Sequence, residues 1–204
     1  MTEQHYLVPL QNEGFEKDIT HSVVAKTIED AEDWFVDAKE RLLDVNNWEK
    51  YSPSLSVEFR LADSHGKGVK RGARRHDHIR IDIPGYSNGH GNPGGFDWAT
   101  IEAMEYDDYP DDSMETFALR IRPSEHPQYQ NDDVSNLFPG NDVSCTFVIT
   151  RQGKNLLAAY HGRNELVHSY TVISDAVNES ELISGGWLGL SDIQWTDLMK
   201  GLLK

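Results

Sequence analysis

The sequence contains a single cysteine, Cys145, among its 204 residues. One cysteine excludes an intramolecular disulfide framework and a zinc site built from several thiolates. Basic residues are scarce as well, because 19 lysines and arginines face 34 aspartates and glutamates, which gives a net charge of −15. A chain this acidic is a poor partner for nucleic acids and for anionic membranes.

Long hydrophobic runs are also missing. Residues 1–14 have no apolar core of signal-peptide length, and no later run approaches the length of a membrane span. The hydrophobic fraction of 38% is nevertheless sufficient for a folded globule. We therefore expect a soluble, cytoplasmic protein with one domain over residues 1–204, in which residues 1–14 form a loose N-terminal lead-in.

Residues 191–204 have the clearest helical pattern. Ser191 and Gln194 have capping-box spacing, and Leu190 and Trp195 stand at the positions of a hydrophobic staple. An apolar stripe at helical spacing follows, formed by Trp195, Leu198, Met199 and Leu202. The stripe predicts a C-terminal helix that packs against the rest of the protein.

An earlier helix is predicted from Thr27, which has Asp30 at the capping-box position. Apolar residues then recur at helical spacing, at Ile28, Ala31, Phe35, Ala38, Leu42 and Val45. The pattern ends at Asn46 and Asn47, before a turn that contains Pro53.

Most of the remaining chain alternates apolar and polar residues, which is typical of half-buried antiparallel strands. The alternation predicts seven strands, over residues 15–25, 54–62, 70–83, 96–106, 116–122, 143–151 and 155–165. Residues 84–95, with five glycines, predict a loop beside the mouth of a cavity. An acidic turn is predicted over residues 106–113 and a long connection over residues 123–141.

This order of elements resembles the START-like helix-grip superfamily, which includes polyketide-cyclase-like and lipid-transport-like proteins. The local similarity lies in Thr-Ile-Glu-Asp-Ala at residues 27–31 and Val-Asn-Asn-Trp-Glu-Lys-Tyr-Ser-Pro at residues 45–53. The resemblance implies an α+β fold in which a curved, antiparallel seven-stranded sheet surrounds a long C-terminal helix, with an early helical insertion. It also implies a cavity for apolar molecules.

Our first functional hypothesis is therefore a non-enzymatic protein that binds a lipid, sterol or aromatic molecule between the sheet and the C-terminal helix. No cofactor and no metal are expected, and the oligomeric state stays open. The predicted ligand-binding residues are Phe59, Ile81, Phe117, Leu119, Phe147, His161, Arg163, Trp195 and Met199.

Three polar residues at the end of the last strand suggest an alternative. His161, Arg163 and Glu165 share one side of that strand, but the pattern leaves open whether this side faces the interior. If it does, the three side chains could orient a ligand or act in an enzyme of cyclase, dehydratase or hydrolase type. The third hypothesis is a structural or interaction protein without a cavity.

Other polar clusters have simpler interpretations. His76 and His78 have a spacing that can bind a metal, but they alternate with isoleucines that should face the core. We therefore expect these histidines to face water. Cys145 lies among apolar residues and is expected to be a buried, inert thiol.

Four arginines, Arg60, Arg80, Arg120 and Arg122, fall on the polar sides of their strands. Ion pairs with carboxylates on the same sheet face are the interpretation that we favour. The alternative is an anion site on the surface.

Overall fold

The computed structural model describes residues 5–55, 57–82, 96–128, 142–165, 168–170, 183–185 and 190–204. It contains three α-helices, two short 3₁₀ helices and nine strands among these residues. The α-helices are α1 (Ile28–Leu43), α2 (Trp48–Tyr51) and α3 (Asp192–Leu202). The strands are β1 (Phe15–Val24), β2 (Glu58–Ala62), β3 (His78–Asp82), β4 (Asp97–Tyr109), β5 (Met114–Ser124), β6 (Ser144–Gln152), β7 (Asn155–Glu165), β8 (His168–Tyr170) and β9 (Ile183–Gly185).

Seven strands form one antiparallel sheet in the order β1-β7-β6-β5-β4-β3-β2, and β8 pairs with β9 separately. The inner face of the large sheet packs against α1 and α3. This arrangement is the α+β helix-grip fold that the sequence predicted, with α1 and α2 as the early helical insertion between β1 and β2.

Both long helices begin at the residues that the sequence predicted. The side chains of Thr27 and Ser191 each accept a hydrogen bond from the backbone N–H three residues later, and each forms a full capping box. Both caps satisfy backbone groups that a helix start otherwise leaves unpaired. The predicted stripe of α3 is buried at all four positions, Trp195, Leu198, Met199 and Leu202.

Two strands begin later than predicted. β2 starts at Glu58 because the Ser52 carbonyl accepts a hydrogen bond from the Leu55 N–H, which closes a turn just before it. β3 starts at His78, after a turn in which the Asp77 carboxylate binds both the Arg74 N–H and the Arg71 guanidinium. Local hydrogen bonds, from the backbone before β2 and from the Asp77 side chain before β3, therefore replace strand pairing at these positions.

The turn predicted over residues 106–113 is shorter in the structure. β4 continues to Tyr109, which is paired with Met114, and a 3₁₀ turn of Pro110–Asp112 joins the two strands. Ser113 closes this connection with a φ of 50°. Residues 84–95, the predicted loop beside the cavity, lie outside the described residues, as do residues 129–141.

The chain before β1 covers part of the outer face of the sheet. Leu7 and Val8 are buried there, and the Leu7 carbonyl accepts a hydrogen bond from Arg120 at 2.9 Å. Their apolar neighbours on the sheet are Ala103, Ala118, Val148 and Ala159. Small side chains on the outer face therefore leave room for Leu7 and Val8.

No helix in the described part of the chain is long and apolar enough to cross a membrane.

Candidate functional site

The regular alternation of β7 ends at Asn164, which has a φ of 56°. Asparagine tolerates this left-handed conformation better than most residues. Its side chain is also held in place, because Oδ1 accepts hydrogen bonds from the N–H groups of Asn12 at 2.7 Å and Glu13 at 3.0 Å. The break brings the next side chain, Glu165, to the inner face of the sheet.

Glu165 forms a buried polar cluster with two residues that the sequence analysis did not assign to a site. The Tyr160 hydroxyl donates a hydrogen bond to Glu165 Oε1 at 2.7 Å, and Cys145 Sγ lies 3.0 Å from the same hydroxyl. The three side chains are between 0% and 3% exposed. The cluster is therefore shielded from water. Polar interactions are stronger in such an interior environment than at the surface.

A glycine makes room for this cluster. A Cβ at Gly162 would collide with the Glu165 carboxyl group and would approach the Tyr160 hydroxyl to 3.1 Å. Oε1 accepts the described hydrogen bonds of Glu165, and no described residue donates one to Oε2. The carboxyl group therefore keeps a free oxygen among the described residues.

Burial is the main influence on the ionisation of the cluster. Loss of water raises the pKa of Glu165 above its ordinary value. The hydrogen bond from Tyr160 lowers the pKa, but it offsets only part of the increase. Burial also raises the pKa of Tyr160 well above its ordinary value, and Cys145 and Glu165 add to the effect. Tyr160 therefore stays a hydrogen-bond donor at neutral pH.

An aromatic group lies directly beside the cluster. The ring of Trp195, from α3, is stacked on Tyr160 with centroids 4.1 Å apart and an interplanar angle of 19°. Phe147 packs against both rings at centroid distances of 5.5 and 5.6 Å. The N-terminal half of α3 thus packs directly against β6 and β7 next to Glu165.

His161 and Arg163 do not share a face with Glu165, so the expected group of three is divided by the structure. Both bind Asp18 of β1 on the outer face, with His161 Nδ1 at 2.6 Å and Arg163 Nη1 at 2.8 Å from Oδ1. Burial alone would raise the pKa of Asp18, but the hydrogen bonds from Arg163 and His161 outweigh it and lower the pKa. These two residues stabilise the β1–β7 edge.

The other predicted ligand-binding residues lie in one continuous core. This group is buried to 6% exposure or less, and it comprises Phe59, Ile81, Phe117, Leu119, Phe147, Trp195 and Met199. Trp48 fills the space between two of them, at 5.0 Å from the Phe59 ring and 5.4 Å from the Phe147 ring. In the described part of the chain, these side chains therefore pack against one another.

Three surface grooves formed by described residues have volumes of about 1010, 870 and 460 Å³. His161 lines the second of these grooves, on the outer face beside Asp18 and Thr20. No other predicted ligand-binding residue lines any of the three. The predicted cavity between sheet and α3 stays a prediction.

The two histidines considered for a metal do not share a strand face. His76 lies in the turn before β3 with a φ of 70°, whereas His78 is the first residue of β3 and is half-buried. Burial lowers the pKa of His78, which favours its neutral form. Among the described residues, no cluster of three or more histidine, cysteine, aspartate or glutamate side chains could hold a metal ion.

Three of the four strand arginines form ion pairs. Glu102, at a bulge of β4, binds both Arg120 and Arg122 at 2.6 Å, and Glu58 binds Arg60 at 2.6 Å. This pairing confirms the favoured interpretation for these three residues. Arg80 has no ion pair with any described residue.

No protein-family model matches this sequence, and no curated protein matches it. The structure is similar to several solved ones at low identity. A protein of Mycobacterium smegmatis is 15% identical over 93% of this chain and 90% of its own, with a TM-score of 0.41. Major latex-like protein 151 of Panax ginseng is 8% identical over 93% of each chain, with a TM-score of 0.36. Truncated norcoclaurine synthase of Thalictrum flavum is 11% identical over 76% of this chain and 81% of its own, with a TM-score of 0.33.

Proposed function

We propose that this protein binds a small, largely apolar molecule that carries one polar group, next to Glu165 in the interior of the fold. The observation that supports this proposal is the Glu165 carboxyl group itself. It is buried, has a raised pKa, and offers one oxygen to which no described residue donates a hydrogen bond. A buried carboxyl group is costly for stability unless it is well paired, so its presence favours a binding role.

The surroundings suit a ligand that is apolar around one polar end. Tyr160 and Trp195 form an aromatic stack, Phe147 packs beside it, and Glu165 supplies a hydrogen-bonding group that would fix the orientation of the ligand. Binding sites for small molecules commonly combine apolar walls with a few polar groups of this kind. Lipids, sterols and aromatic compounds with a hydroxyl or amino group are the ligand classes that we propose.

The test is a titration with fatty acids, sterols and aromatic polyketides, followed by tryptophan fluorescence and thermal shift. A ligand that contacts the Tyr160–Trp195 stack should change the fluorescence and raise Tm, because binding to the folded state stabilises it. Glu165→Gln should weaken binding of ligands with a polar end. Glu16→Gln, an exposed carboxyl on β1, serves as the matched control and should bind as wild type does.

An enzyme that transfers a proton is the second candidate. The specific observation in its favour is the raised pKa of Glu165 beside a hydroxyl donor, because a carboxyl group with such a pKa is a better base near neutral pH. Glu165, with Tyr160, would take the catalytic role that the sequence analysis gave to His161. Glu165→Gln would then retain binding and lose turnover of a cyclase, dehydratase or hydrolase substrate.

The packed aromatic core supports a third outcome. If no ligand in the panel changes the fluorescence or Tm of wild type, the binding proposal is wrong and a structural or interaction role is favoured. A response that is identical in wild type and Glu165→Gln would place binding elsewhere on the protein.

A further inference from the structure

The third surface groove, on the outer face of the sheet, collects positively charged residues in a strongly acidic protein. It has a volume of about 460 Å³ and lies between β2, β3, β4 and the turn that follows β2. Its walls contain cationic and aromatic residues, namely Arg60, Lys70, Arg80, Phe96, Trp98 and His126, and no aspartate or glutamate is among the described residues that line it. This composition contrasts with the net charge of −15.

Arg80 has an unusual environment. It stands directly opposite Arg60 in the β2–β3 register, where like charges repel each other. Glu58 neutralises Arg60 at 2.6 Å, but no described carboxylate pairs with Arg80. The Arg80 Nε is buried without a hydrogen-bond partner, and its guanidinium group lies 4.3 Å from the centroid of the Phe96 ring.

The contrast with β5 shows that this is not ordinary pairing on a polar strand face. Arg120 and Arg122 also project from the outer face, and a single carboxylate, Glu102, binds both. An arginine needed only to hold neighbouring strands together would be expected to have such a partner. Arg80 instead opposes another cation.

Trp98 pairs in register with Arg80, so Arg60, Arg80 and Trp98 form one row across the outer face of the sheet. Its side chain lines the groove, the residue is 6% exposed, and its indole Nε1 is buried without a hydrogen-bond partner. The ring of His126 lies edge-on against the indole with centroids 4.7 Å apart. Two neighbouring positions of the row therefore each hold an unsatisfied N–H donor.

We propose that this groove binds a small organic oxyanion, in which a carboxylate or phosphate group is carried on a planar apolar body. The guanidinium group of Arg80 has the planar fork of donors that matches such an oxyanion, and Lys70 adds positive charge. The ring faces of Phe96 and Trp98 contact the body of the ligand. This site lies on the opposite face of the sheet from Glu165 and is independent of the function proposed above.

The experiment is calorimetric titration with phenyl phosphate, benzoate, inorganic phosphate and phenol at constant ionic strength, which holds general screening fixed. Phenyl phosphate or benzoate should bind best, and the difference between them tells which oxyanion the site prefers. Inorganic phosphate should bind more weakly because it lacks the planar body, and phenol should not bind because it lacks the charge. Arg80→Gln should weaken binding about tenfold or more.

Arg74→Gln is the matched control, because Arg74 is exposed, lies outside the groove, and loses the same unit of charge. It should bind as wild type does. Equal weakening in both variants would mean nonspecific attraction and would overturn the proposal. So would the absence of binding of both phenyl phosphate and benzoate to wild type.

A second measurement does not depend on the folding of Arg80→Gln. The NMR spectrum of ¹⁵N-labelled wild-type protein contains one indole N–H signal that is absent from the spectrum of Trp98→Phe, and this signal belongs to Trp98. It should shift in wild type on addition of the better-binding oxyanion. If calorimetry detects binding and this signal does not move, the oxyanion binds elsewhere and the proposal is wrong.

Discussion

Glu165 occupies the space that a side chain at position 162 would need, so glycine is the residue that fits there. We expect Gly162→Ala to destabilise the protein by about 1–3 kcal/mol, because the added Cβ would push against the buried carboxyl group. Urea unfolding measures the change. Gly68→Ala is the control, since a Cβ there meets no atom within 4 Å, and equal losses in the two variants would contradict this account.

The ionisation of Glu165 gives a prediction for pH. Burial raises the pKa of Glu165 above its ordinary value of 4.5, so the folded state holds the proton more tightly than the unfolded state. The stability that results is complete below the unfolded pKa and is lost as pH rises through the folded pKa. The free energy of unfolding of wild type should therefore fall relative to that of Glu165→Gln as pH rises above 4.5, the ordinary pKa of the carboxyl group.

Urea titrations of both proteins across this range provide the measurement. Gln can still accept the hydrogen bond from Tyr160, so the comparison isolates the ionisation of the carboxyl group. A difference that stays constant over the whole range would mean that the pKa of Glu165 is not raised.

The position of Glu165 could not have been predicted from alternation alone. The two-residue alternation of a strand predicts that residues 161, 163 and 165 lie on one side. This prediction is correct for His161 and Arg163, which both bind Asp18. The left-handed conformation of Asn164 reverses the side for the residue that follows. That conformation depends on hydrogen bonds with Asn12 and Glu13, which are distant in sequence and therefore invisible to a local pattern.

Helix α3 is held to the sheet through Trp195, which is 1% exposed and in contact with aromatic rings from β6 and β7. Trp195→Ala should destabilise the protein by about 3–5 kcal/mol, because it removes a large buried side chain and leaves a cavity. The shift of the urea midpoint measures this effect. Trp34→Ala is the control, and its loss should be clearly smaller because Trp34 is 39% exposed.

The elements could be predicted from the sequence where one local signal was sufficient. Capping boxes at Thr27 and Ser191 marked the starts of both long helices, and alternation predicted the seven strands of the large sheet as they follow along the chain. The order of the strands within the sheet was not predicted. The starts of β2 and β3 were wrong by several residues. There, hydrogen bonds within a turn, such as that of Asp77 with Arg74, compete with strand pairing.

The molecule as a whole uses both faces of its sheet. The inner face carries the main core, and the outer face carries a smaller one in which Leu7 and Val8 pack against short side chains. Leu7→Ala should therefore destabilise the protein by about 2 kcal/mol, measured by urea unfolding. Leu10→Ala should have almost no effect because Leu10 is 82% exposed, and similar losses would mean that this segment is not docked in solution.

The order of the strands has a consequence for how the protein is made. β1 lies at the edge of the sheet and is hydrogen-bonded to β7, the last strand of that sheet to leave the ribosome. The ribosome takes on the order of 10 s to translate the chain from Val24 to Asn155, and β1 has no partner strand during this time. An unpaired strand is a template for unwanted association, so we expect the nascent chain to need protection by chaperones until β7 has emerged.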